Sequence, residues 1–287
     1  MPRLKHLSPA LPALLLLLCL APCARAQAPD ADAPVRPGAR ATYLDFIKLA
    51  LPDADYNDAG DIAAHKTVPV RDLFASDAPN AYEGALTLDN FDKLWLRDGA
   101  RTRLCLLLHL SSTEDLFTWG ELNVLALYEV EPRPRLLDAA AVQQDRFAGL
   151  WDEQPTLRIG PRKDAAIVAN SHHNSTQGYL ALTLVAAERD RLAVLYDRGG
   201  ITHSNSCGTG FETTYRFTPL PQRGTAYYPI RLRATFLPTA DDRNCQPLRR
   251  IPRRRLYQTL LRFHPTRRQY LPADRGLAPL AKYELAF

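Results

Sequence analysis

The sequence predicts a mainly β protein, an antiparallel sandwich or a curved, partly closed barrel, with one short N-terminal helix. Three observations carry this. From about residue 85 onward, short apolar or alternating runs are separated by turn residues, the pattern of strands rather than helices. Only one segment, near residue 45, places apolar residues at helical spacing. Apolar residues make up 46% of the 287, enough for a sizeable core and too many for a disordered chain.

Residues 1–26 divide into a basic start (Arg3, Lys5, His6), an apolar run from Leu11 to Leu20, and the small-residue ending Ala24-Arg25-Ala26. This is the layout of a secretory signal peptide, with Gln27 the expected first mature residue. The apolar run is about half of the roughly 20 residues that a membrane-spanning helix needs, so no transmembrane segment is expected. Cys23 stands where a lipoprotein signal would place its cysteine, but Pro22 immediately before it opposes a lipid anchor. The short leader and the Ala, Arg, Leu and Pro bias point to a secreted, periplasmic protein. Removing the leader takes away three basic residues and no acid, leaving 33 basic against 31 acidic residues, a net +2.

Residues 27–40 hold three prolines and few large apolar side chains, and are expected to be a disordered tether. Next, Tyr43, Phe46, Ile47, Ala50 and Leu51 recur at helical spacing, with Thr42 as N-cap, Asp45 as capping-box partner and Pro52 as the stop. The remainder of 41–84 lacks periodicity and is expected to wrap the surface of a β domain spanning 85–287. In that domain Lys93–Arg97 and Arg101–Leu110 flank Asp98-Gly99, a hairpin signal because glycine accepts positive φ. Leu122–Val130, Ala165–Ser171, Gly178–Ala187, Arg191–Tyr196, Tyr227–Phe236, Leu256–Phe263 and Arg268–Leu271 follow, giving eight to ten expected strands.

Cys105, Cys207 and Cys245 remain after the leader is lost, in an oxidising compartment. Cys207 and Cys245 lie in polar turns while Cys105 lies within a leucine run, so a Cys207–Cys245 disulfide is expected, worth about 3 to 4 kcal/mol on the chain-entropy model. A nucleophilic role for Cys207 is disfavoured by that partner.

Two segments echo one another: Ser171-His172-His173-Asn174-Ser175 and Thr202-His203-Ser204-Asn205-Ser206 both fit Ser/Thr-His-x-Asn-Ser. Facing one another, His172, Asn174, His203 and Asn205 with a carboxylate could build an open metal site or a general acid-base pair, a metal-dependent or acid-base hydrolase. Ordinary turn chemistry of Asn, Ser and His is the plainer account. Asp53 to Asp61 starts like a calcium loop, but Asp58 replaces the required glycine and Ala64 the bidentate glutamate. Trp95, Trp119 and Trp151 could line a sugar site, though core packing is the commoner fate.

Charge is unevenly divided. Residues 243–275 contain ten arginines and one acid, net +9, whereas 27–242 carry 22 basic and 29 acidic residues, net −7. Arg249, Arg250, Arg253, Arg254, Arg255, Arg262, Arg267 and Arg268 therefore form the expected anion-binding face, because guanidinium grips phosphate and carboxylate bidentately. Internal pairing with the acidic two-thirds is the competing outcome. Nucleophile-elbow, P-loop, dinucleotide, zinc-protease and nucleic-acid motifs are missing. No cofactor and no nucleic acid are expected. The sequence thus favours non-catalytic binding of an anionic glycan, lipopolysaccharide phosphate or acidic protein, ahead of the hydrolase alternative or a purely structural role.

Overall fold

The computed structural model describes residues 30–75, 78–118, 120–205, 210–238 and 253–284. The leader, Trp119, Arg249, Arg250, Cys207 and Cys245 lie outside the described residues, and with them the expected disulfide.

Helix α1 (Tyr43–Ala50) forms where its apolar spacing predicts, with Thr42 and Asp45 closing the capping box and Tyr43, Phe46, Ile47 and Ala50 buried. The segment ahead of it departs from the expected tether. Residues 30–40 fold onto the helix: Ala31 and Val35 are buried, and the carbonyls of Ala33 and Ala31 accept the N–H groups of Tyr43 and Leu44. The first turn of a helix has donors with no partner inside it, and the arm supplies two acceptors. That demand orders a stretch whose composition alone reads as disordered.

The remaining strands form one hydrogen-bonded sheet that is not closed into a barrel and is antiparallel throughout except for one parallel pair. It divides into three strips. The first holds β1 (Asp55–Tyr56), β2 (Ile62–Lys66), β3 (Arg71–Asp72), β4 (Glu83–Asp98), β5 (Arg101–Ser112), β6 (Glu121–Glu129) and β7 (Arg135–Ala141). The second holds β8 (Phe147–Leu150), β9 (Thr156–Gly160), β10 (Lys163–His173), β11 (Gln177–Glu188) and β12 (Arg191–Ser204). The third holds β13 (Phe211–Pro219), β14 (Ile230–Pro238), β15 (Arg255–His264) and β16 (Gln269–Pro272), followed by a short helical turn, α2 (Ala281–Glu284). Because Ile62 and Ala64 of β2 pair with Leu88 and Leu86 of β4, the sheet begins well before residue 85.

The strips are joined narrowly. A single pair, Lys163 with Asp98, links β10 to β4, and two pairs, His203 with Glu212 and Ser204 with Phe211, link β12 to β13. At each joint the sheet turns back on itself, and three apolar clusters fill the layers. Helix α1 and the arm cover one face of the first strip through Leu104, Leu106, Leu108, Val124 and Ala126. Cys105, Leu107, Leu125 and Leu127 on its other face meet Ala166, Val168, Val185 and Ala187 of the second strip. Ala165, Ile167, Leu184 and Ala186 then meet Phe217, Leu232 and Ala234 of the third. Strands β5, β6, β10 and β11 are thus buried on both faces, which is why their sequences are nearly continuous apolar runs. Strands β13 and β14 alternate, with one face turned to solvent. Among the described residues no helix is long and apolar enough to cross a membrane.

Ion pairs lock the first joint. Lys163 Nζ lies 3.1 Å from Asp98 and 2.6 Å from Glu188, and Glu188 also accepts from Tyr227 and Arg268 of the last part of the chain. Nearby, the buried Arg103 joins Glu129 at 2.6 Å and Asp190 of the β11–β12 turn. That turn, Arg189-Asp190, has positive φ at both residues (53° and 64°), the geometry of a two-residue type I′ hairpin.

Two outcomes follow from these contacts. Burial raises the pKa of Glu188, but bonds from Lys163, Tyr227 and Arg268 outweigh it and hold the carboxyl below its ordinary value of 4.5. A depressed folded pKa stabilises above the unfolded value and is lost on acidification. Urea denaturation should show stability falling below about pH 4.5, and Glu188→Gln should be less stable at neutral pH and lose less on acidification. Arg189→Asn should raise the melting temperature, by about 0.5–1 kcal/mol of stability, because asparagine tolerates the left-handed region better than arginine.

Candidate functional site

The His-x-Asn echo occupies the open ends of β10 and β12, and register decides what meets. His173 pairs with Gly178 and Gly178 with His203, a row continued by Glu212 on β13. Residues directly opposite on antiparallel strands share a face, so His173 and His203 flank Gly178 on one side of the sheet. His172 pairs with Tyr179 on the other side, where its Nδ1 lies 3.0 Å from Asp145. The expected convergence of His172 with His203 therefore does not form: alternation along β10 delivers the neighbouring histidine instead. A Cβ at Gly178 would stand 2.6 Å from His173 Nδ1, so the glycine lets that ring lie across the row. Asn174 accepts the backbone N–H groups of Thr176 and Gln177, and the backbone N–H of Asn205 donates to Thr176. Asn174 and Asn205 shape turns. Among the described residues no group of three or more His, Cys, Asp and Glu side chains is placed to hold a metal.

The expected arginine cluster is drawn apart. Arg253, Arg254 and Arg255 are exposed at the start of β15, whereas Arg267 and Arg268 lie beyond its end. Ten residues of strand separate the two groups by roughly 30 Å. Arg268 is also taken up by Glu188, the internal pairing that competes with ligand binding. Cys105 is fully buried and its thiol pKa is pushed far up by burial, so it packs as an apolar side chain. Trp151 is buried edge-on against Phe217, and Trp95 lies beneath the Arg36 guanidinium, so neither presents an open sugar platform. The segment Asp53–Asp61 contains the tight β1–β2 hairpin, whose loop is closed by the side-chain oxygen of Asn57.

A different arginine group stands on the wet face of the third strip. Arg216 of β13 is directly opposite Arg233 of β14, and Arg231 and Arg262 belong to the same outward set. None of the four has a carboxylate within ion-pair distance among the described residues. Thr214, Thr218, Thr235 and Gln258 add uncharged donors around them. The signal was present in the strict alternation Phe211, Thr213, Tyr215, Phe217, which sends Arg216 outward, but those residues fall outside every predicted strand.

A second feature absent from the sequence reading lies where the first two strips open, away from the ion-paired joint. A cleft of about 550 Å³ is lined by Asn90, Asp92, His109, Phe147, Asp152, Glu153 and Ser171, among others. His109 Nε2 lies 3.1 Å from Asp92 Oδ2, and its cross-strand neighbour is the buried Asn123. The cleft carries Asp92, Asp152 and Glu153, whereas the outward set of the third strip is arginine.

No protein-family model, curated protein or solved structure matches this chain.

For His109, burial lowers the pKa, but the bond and charge of Asp92, aided by Asn123 and Glu121, leave it above the ordinary 6.5. Its stabilisation is therefore complete below that value and is lost as pH rises through the folded pKa. An NMR titration should place the imidazole midpoint above 6.5, and Asp92→Asn should lower it, since only Asn123 and Glu121 then oppose burial.

Proposed function

We propose that this chain is an exported, non-catalytic binding protein that grips an anionic component of the cell envelope on the outward face of β13, β14 and β15. The observation that carries the proposal is the direct cross-strand pair Arg216–Arg233. Like charges facing one another across a sheet weaken it. Here no carboxylate among the described residues relieves them, and Arg231 and Arg262 add to the same field. An anion seated between the guanidinium groups supplies the missing countercharge, and phosphate or sulfate oxygens match the guanidinium fork. The leader supports export to the periplasm, and Pro22 opposes anchoring through Cys23. A hydrolase centred on His172, Asn174, His203 and Asn205 is not carried forward, because the two histidines point to opposite faces.

Arg216→Glu separates binding from folding by sign. It turns a repulsive cross-strand pair into an attractive one, so thermal stability should rise by about 0.5 kcal/mol. Retention on heparin, which should be salt-sensitive in the native protein, should weaken so that elution occurs at clearly lower salt. An unchanged elution position would remove the face from consideration. Retention only on an immobilised acidic protein, with none on heparin, would replace the phosphate- or sulfate-bearing ligand by a protein partner.

A further inference from the structure

We infer that the anion received by this face is carried on a bilayer, so that the protein docks flat on an anionic lipid surface. The inference rests on the anion-binding face proposed above and names its ligand. What takes it further is apolar. Four large hydrophobic side chains are exposed among the described residues, and two of them, Leu256 at 61% and Leu237 at 44%, belong to this one face. Residues two apart on a strand share a side, which aligns Leu237, Thr235, Arg233 and Arg231 along β14 and Leu256, Gln258, Leu260 and Arg262 along β15.

Register fixes their order. Leu256 pairs with Thr235, and the next outward row is Arg216, Arg233 and Gln258. Two residues of strand put that guanidinium row about 7 Å from the leucine row. On the other side of Leu256 stands the exposed Arg254, two residues back along the chain, while Arg255, opposite the buried Phe236, alternates to the other face. Leu256 is thus flanked by guanidinium groups along its own strand direction, with Leu237 in the adjoining outward row. Glu212, opposite Leu237, is the one carboxylate placed on this side by register, at the edge where β13 meets β12.

A soluble polyanion has no use for the leucines, and burying them would need an apolar partner. A bilayer interface provides both halves: phosphates at headgroup level for the arginines and, about 5–10 Å deeper, acyl chains for short apolar side chains. Arginine stems are long enough to keep their charged ends at the headgroups while the leucines enter. Anionic lipid in the contacting leaflet adds attraction for each arginine near the surface.

Co-sedimentation of the mature chain with two kinds of vesicle tests this, beside heparin retention. Phosphatidylcholine vesicles containing phosphatidylglycerol should pellet the protein, and pure phosphatidylcholine should not. The double variant Leu237→Ser, Leu256→Ser alters only exposed side chains. It should bind the anionic vesicles at least about tenfold more weakly, the loss expected when the exposed part of both leucines, together about one side chain's worth, is no longer buried, while eluting from heparin as the native chain does. Arg216→Glu should weaken both. Vesicle binding unchanged in the leucine variant, or heparin retention without any vesicle binding, overturns the lipid surface and leaves the anion-binding face standing. Failure on both heparin and vesicles removes the face itself. A thermal melt of each variant shows that it remains folded.

Discussion

The structure depends on one ion-paired node. A long antiparallel sheet that turns back on itself through a single ladder pair has almost no backbone hydrogen bonding to hold the turn, so side chains must do so. Lys163 sits between Asp98 of the β4–β5 turn and Glu188 of the β11–β12 turn, and Glu188 reaches onward to Tyr227 and Arg268. One cation and one anion thereby tie the first, second and third strips together. Both are mostly removed from water, where breaking one partner costs far more than the pair contributes on balance. The node specifies which edges meet, while the apolar layers supply most of the burial.

Layering decides which surfaces are available for binding. The first strip is covered by α1 and the arm on one face and by the second strip on the other. The second strip is covered on both faces in turn. Among the described residues only the third strip keeps a broad face in water, which is why β13 and β14 show clean alternation. Any extended ligand surface on the sheet therefore belongs to β13, β14 and β15, and the acidic cleft at the mouth between the first two strips is a local opening. The arginines of this last strip are not distributed evenly around the molecule, because no other strip presents a comparable open face.

Much of the architecture was legible because burial leaves a period in the sequence. The helix, its capping box, the hairpin beside Gly99 and the strands of the double-buried core lie where apolar spacing put them. Strands were lost where that period was short or interrupted, and β13 was lost although its alternation is regular, because Thr213 shares the buried side with Phe211, Tyr215 and Phe217 and blurs the apolar signal. Residues 135–141, 147–150 and 156–160 are brief strands along sheet edges, and β12 runs on through Gly199 because the Tyr179 ring fills the space that a side chain would need. The site was less legible than the fold. The His-x-Asn echo shares a spacing, but side-chain direction depends on register, and a one-residue offset gives the shared face to His173. His109 and Asp92 lie 17 residues apart in sequence and meet only because β4 and β5 pair across their hairpin. Composition also misjudged the arm, whose order comes from backbone acceptors that no side-chain count records.

The unequal division of charge along the chain finds its physical meaning in which partners are already taken. Acids of the first two-thirds are used locally: Asp138 with Arg71, Asp164 with Arg97, Glu129 and Asp190 with Arg103. These pairs hold the first strip to the second or brace it internally, and they consume carboxylates that could otherwise have neutralised the last strip. Of the C-terminal arginines, Arg268 draws on that supply, at Glu188. Arg216, Arg231, Arg233 and Arg262 take nothing from it among the described residues. A folded chain near electrical balance thus keeps, among the described residues, a local cationic excess on the open sheet face of β13, β14 and β15. Such an excess weakens the fold by self-repulsion, and bringing an anion to the face would offset it. Leu237 and Leu256 stay exposed within the same patch, so the described residues leave both charge and apolar surface uncovered on one face.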